Sequence, residues 1–262
     1  MSASKATLQI WKALAVGAGL TSIAIAGQAA AAQGIYPVMA PLDQYRSPDE
    51  AALARSAAPP SISKDAEVLV LGPHGYETAA KGTNGFTCIV ERSWANDFGS
   101  SDFWNPKVRG PICFNPASTR SVLPTYLKRT AWVLAGASKT QLLDRTKAAI
   151  AKHEIGPPDP GSMCYMLSKG GYLGDDAGGH WHPHLMFFTP RMPGSALGAN
   201  LPGAPVMGGD DGGVDPATIF YVVVSAWSDG TMAEPMKMAH RLGVARKSPG
   251  LFDPGLLNSV WA

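Results

Sequence analysis

Residues 121–153 carry back-to-back helix signals with strand-like runs on both sides, and that order constrains the fold more than any other feature of the chain. Leu123, Leu127, Ala131 and Leu134 recur at helical spacing, and Gly136 then offers a left-handed stop. Ser138-Lys139-Thr140-Gln141 reads as a capping box that opens a second helix towards His153. Only Gly136 and Ala137 separate the two, so they are expected to pack as an antiparallel pair.

Upstream, Glu67–Leu71 is a leucine- and valine-rich run. Tyr76–Lys81 and Phe86–Arg92 flank Gly82-Thr83-Asn84-Gly85, whose Asn-Gly step favours a hairpin. Phe86, Cys88 and Val90 alternate with Thr87, Ile89 and Glu91, so one of these sets is expected to face the core. Downstream, strands are expected at Met163–Ser168, His184–Thr189 and Thr218–Trp227. The expected fold is therefore α+β: an antiparallel sheet with a helical pair inserted between N-terminal and C-terminal strands, in ββ-αα-βββ order.

A single domain over 63–231 follows, preceded at 33–62 by an irregular lead-in whose short helix starts at Ser47-Pro48-Asp49-Glu50 with Ser47 as cap. Residues 232–262 read as an irregular tail. Residues 190–216 hold seven glycines and five prolines in 27 positions, a loop far longer than the usual connection of about 4–6 residues. Loops of that length serve as functional covers or are simply mobile.

Residues 1–32 have the pattern of a secretory signal peptide: Lys5 and Lys12, an uncharged apolar run from Ala13 to Ala26, then Ala29-Ala30-Ala31-Ala32. Cleavage is expected near Ala31 or Ala32, giving an exported protein, periplasmic or secreted. The run is shorter than the roughly 20 residues that cross a bilayer, so no membrane span is expected after cleavage. Loss of Lys5 and Lys12 brings the 22 basic residues level with the 20 acidic ones, and a neutral chain argues against a nucleic-acid partner.

In an oxidising compartment, three cysteines give one disulfide and one spare thiol. Cys88 with Cys113 is the favoured pair because it closes the loop-rich segment 93–118, for about 3 kcal/mol in the chain-entropy picture. Cys164, within Met163-Cys164-Tyr165-Met166-Leu167, reads as a buried small hydrophobe.

The densest coordination chemistry is Gly178-Gly179-His180-Trp181-His182-Pro183-His184, with three of the six histidines at alternate positions. Pro183, lacking an N–H, belongs at the start of a strand, which leaves His180 and His182 in a bendable loop and His184 on the strand. A metal site is expected at His180 and His182, with His184 assisting and Asp175 as the leading outside ligand; Asp176, Glu91 and His74 are further candidates. Imidazoles with a carboxylate suit zinc or copper. Gly174, His180 and His182 resemble the opening of the cupin metal motif, but Met186 or Phe187 stands where its glutamate is expected. His184, in phase with Met186 and Phe188, is equally placed to be a hydrogen-bonded core residue.

These residues point to a binding module for a metal or a small ligand, with an envelope component as a possible partner. A metal-dependent hydrolase of the cell envelope is the alternative, and a structural or interaction domain without a site is the third reading.

Overall fold

The computed structural model describes residues 35–175, 182–209 and 213–234. The leader 1–32, Asp176, His180 and the tail beyond 234 lie outside the described residues. In chain order the elements are α1 (Glu50–Arg55), α2 (Pro60–Ser63), β1 (Glu67–Leu71), β2 (Tyr76–Ala80), β3 (Thr87–Glu91) and β4 (Gly110–Phe114). Then come α3 (Pro116–Ser121), α4 (Leu123–Leu134), α5 (Lys139–Ala151), β5 (Met163–Met166), β6 (His184–Pro190), β7 (Val206–Gly209) and β8 (Ala217–Val223). The strands form one eight-stranded sheet in the order β2-β1-β3-β4-β5-β6-β8-β7.

The α+β mixture and the helical segment are as the sequence implies. α5 opens on the Ser138/Gln141 capping box, and Gly136 takes a left-handed φ of 84° after α4. Three features differ from the expectation.

The sheet is mixed, because β1 pairs parallel with β3 while its other neighbours are antiparallel. β1 therefore separates β2 from β3, and the Asn84-Gly85 step makes no hairpin. The Asn84 side chain is used instead to tie the connection down, donating to the Ile62 carbonyl at 2.8 Å and accepting from Phe86 N at 3.0 Å.

Two further strands lie in segments read as loops. β4 contains Pro111, but β5 pairs only with Cys113 and Phe114, so the proline lies beyond the end of that ladder and its missing N–H costs nothing on that side. β7 emerges from the glycine-rich stretch 190–216 and pairs with β8. A Cβ at Gly208 would lie 2.4 Å from the Ile219 carbonyl oxygen, so close approach requires the glycine there. Lastly, α1 is capped by Asp49, whose side chain accepts from Ala52 N, and not by Ser47.

Both faces of the central strands are buried, so neither set of the β3 alternation is exposed. One face carries Val68, Cys88, Val90 and Cys113 against Ala54, Ala57 and Ala58 of α1 and its extension. Cys88 and Cys113 are direct cross-strand neighbours on this face and form the expected disulfide, 4.0 Å apart at Cα. The opposite face carries Ile89, Ile112, Phe114, Cys164, Met186, Phe188 and Tyr221 under Val122, Leu123 and Tyr126. Cys164 is buried and reduced, and burial pushes its thiol well above the usual range, so it acts as an apolar core residue. Among the described residues no helix is long and apolar enough to cross a membrane.

Candidate functional site

β6 begins at His184, directly after Pro183, and the phase of the strand turns His184 to the helix-covered face together with Met186 and Phe188. The ring is buried, and its Nδ1 lies 2.8 Å from the His182 carbonyl oxygen. A carbonyl can only accept, so Nδ1 carries the proton and the lone pair falls on Nε2. Burial brings the His184 pKa down to about 4, opposed in part by that carbonyl; burial also lowers His182, which is half-buried in the preceding loop.

Among the described residues the other candidate ligands lie on separate elements. Asp175 accepts from Tyr36 Oη at 2.6 Å and from Tyr172 Oη, and pairs with Lys107 Nζ at 3.1 Å. The Tyr172 and Tyr36 hydroxyls, then Lys107, hold its carboxyl below the usual carboxylate range, and the Tyr172 phenol rises in turn to about 12. His74 lies in the turn between β1 and β2, at the opposite end of the sheet order. Glu91 ends β3, three strand spacings from β6, or about 14 Å. His180 and Asp176 lie outside the described residues. Among the described residues no group of three or more His, Cys, Asp or Glu side chains is placed to hold a metal ion.

What the structure brings together is a cavity of about 670 Å³ on the helix-covered face. Its floor is the sheet, with Met166, Met186, Phe188 and Ile219. α4 contributes Thr125, Tyr126 and Arg129, and the far wall is drawn from 193–209 and 213–217, mostly within the segment singled out by its glycines and prolines. An ion pair ties that wall to α4: Asp215 Oδ1 receives Arg129 Nη2 at 2.6 Å, and the Arg129 guanidinium lies over the Phe98 ring at 5.0 Å. The volume falls in the range of pockets that take small organic ligands, about 300–1,000 Å³.

Apolar and aromatic side chains predominate in the lining, which also carries polar side chains such as Asn96, Asp97, Thr125, Arg129 and Asn200. His184 lies against Tyr221 at 5.8 Å between ring centroids. Tyr126 packs edge-on against Phe114 at 5.2 Å, and burial raises its phenol well above the ordinary value. Glu91 is the exceptional member. Its residue is only 8 % exposed, it lines the cavity, and its carboxyl has no hydrogen-bond or ion-pair partner among the described residues. Burial pushes its pKa up to about 8, with Arg92 opposing.

Glu91 has room because Gly110 is its direct cross-strand partner. A Cβ at Gly110 would come within 2.4 Å of Glu91 Cγ and 2.6 Å of Oε1, so the glutamate side chain lies across β4 over the space that the glycine leaves. Sequence reasoning placed Glu91 in a strand alternation and offered it as an outside metal ligand. It missed the cavity, for which the available signal was an acid in phase with Thr87 and Ile89 rather than with solvent-facing residues.

No family model, no curated protein and no solved structure matches this chain.

Proposed function

We propose that this is a small-molecule-binding protein whose site is the cavity between the sheet, α4 and residues 193–209 and 213–217. The observation that carries this reading is the pairing of a largely apolar chamber of about 670 Å³ with the carboxyl of Glu91, a residue only 8 % exposed that has no partner among the described residues. The bound molecule is largely apolar and presents a polar group to Glu91. Action outside the cytoplasm goes with this reading on the strength of the N-terminal leader pattern.

Displacement of the neutral dye Nile red by octanol tests it. The wild-type protein is expected to bind both, and Thr125→Trp, which puts an indole into the chamber from α4, to weaken both at least about tenfold while folding normally. Absence of binding by the wild type, or unchanged binding by the folded variant, would overturn the reading.

A second reading retains zinc or copper at His180 and His182 with His184, and with an open position it would support envelope hydrolysis. What favours it is the His184 Nδ1 contact with a backbone carbonyl, the arrangement that orients metal-binding imidazoles. Metal analysis of the purified protein and of His182→Ala tests it: stoichiometric metal lost in the variant supports it, and a metal-free wild type after metal-replete expression rejects it.

A further inference from the structure

The acids and bases around the cavity are unequally provided for. Asp215 is neutralised by Arg129. Asp97 accepts from Gly99 N at 2.5 Å and feels the charge of Lys139. Arg92, the cation nearest Glu91 in sequence, is turned away: its Nη2 is 2.6 Å from Glu50 Oε2, and its Nε donates to the Tyr45 carbonyl at 2.7 Å. His184 is neutral at physiological pH, and Tyr126 and Cys164 remain uncharged there. Glu91 is thus left in a largely apolar and aromatic chamber, and among the described residues no cation is directed to it. The cavity opens beside its carboxyl.

We infer that the ligand of this cavity is an organic amine, its ammonium group docking on the Glu91 carboxylate and its hydrocarbon part lying against Met186, Phe188, Tyr126 and Tyr221. This rests on the cavity being a ligand site. An isolated carboxylate in such surroundings is costly, so the empty protein holds Glu91 protonated; an entering ammonium supplies the compensating charge. The proton balance is simple: the neutral carboxyl and the ammonium become an ion pair, and one proton leaves to solvent. The aromatic walls favour the same charge, since ring faces attract ammonium groups. An anionic ligand would find Glu91 instead of a free base, because Arg129 is already engaged by Asp215.

Proton release makes amine binding depend on pH in a fixed direction. Below about pH 8 only a fraction of Glu91 is ionised in the empty protein, so affinity rises about tenfold per pH unit, then levels off until the amine itself loses its proton. A neutral ligand of the same shape shows no such slope.

Calorimetric titration of the full-length protein with octylamine, octanol and octanoate at about pH 6, 7 and 8 reads this directly. Octylamine is expected to bind at least about tenfold more tightly than octanol at the highest pH, and octanoate the weakest. Glu91→Gln, nearly isosteric over Gly110, is expected to abolish the amine slope and bring octylamine to the affinity of octanol. Its octanol binding and melting temperature report that it is folded. Equal affinity for amine and alcohol in the wild type, or an amine slope that survives in Glu91→Gln, would overturn the amine inference while leaving the cavity a ligand site. If none of the three binds or displaces Nile red, the cavity reading fails as well.

Discussion

Glu50 and Glu91 are buried to the same extent, 8 % exposed each, and the structure treats them in opposite ways. Glu50 receives Arg92 Nη2 at 2.6 Å, Leu71 N at 2.8 Å and Ser47 N at 3.4 Å, so its charge is matched from several directions. Glu91 receives no hydrogen bond from the described residues, lies over a glycine, and opens on a cavity. A buried acid that serves the fold is saturated with donors, whereas one left without them is a standing cost that a ligand can offset. The same contrast divides the two faces of the sheet: alanines and a disulfide close the α1 side, and the α4 side keeps a chamber.

Breaking the satisfied site should have the largest effect. Arg92→Met leaves Glu50 buried with its main partner gone, and a loss of about 3–5 kcal/mol is expected in urea unfolding. Opening the packed face comes next: replacing both Cys88 and Cys113 by Ala should cost about 2–4 kcal/mol and leave Cys164 as the one thiol, titratable only after unfolding.

Gly110→Ala should cost about 1–3 kcal/mol by driving a Cβ into Glu91, and Glu91→Ala in the same chain should recover part of it. Additive losses in that double-mutant cycle would show that the two positions do not share the space described.

Glu91→Gln should have the smallest effect at acid pH and a growing one above it. The pKa of Glu91 is raised in the folded state, so its contribution is fully present below the unfolded value near pH 4 and is lost as pH rises through about 8. Wild-type stability should therefore decline relative to Glu91→Gln across that window, as read from melting temperatures. Parallel pH profiles would place Glu91 among ordinary exposed acids.

Much of the fold was legible because its signals are local. The Ser138/Gln141 capping box, the Gly136 stop and the β-rich runs each depend on a few neighbouring residues. The Cys88–Cys113 bridge was legible because it closes a loop-rich stretch. β4 and β7 were hidden by Pro111 and by Gly208 and Gly209, residues that argue against strands until the pairing partners are known. The parallel β1–β3 pair was hidden because Asn84 makes side-chain contacts across the chain instead of the turn its dipeptide favours. In the candidate site, the phase of β6 and the role of Pro183 could be read, and they place His184 inside. The Glu91 pocket could not, since it depends on Gly110 of the next strand and on a wall from 193–209 and 213–217.

Infrared difference spectroscopy of wild type against Glu91→Gln, at neutral pH with and without octylamine, tests the central claim most directly. The expected result is a protonated-carboxyl band in the free wild type, absent from the variant, that gives way to a carboxylate band when the amine binds. A carboxylate signal for Glu91 in the free protein, or a protonated band that persists in the amine complex, would contradict it.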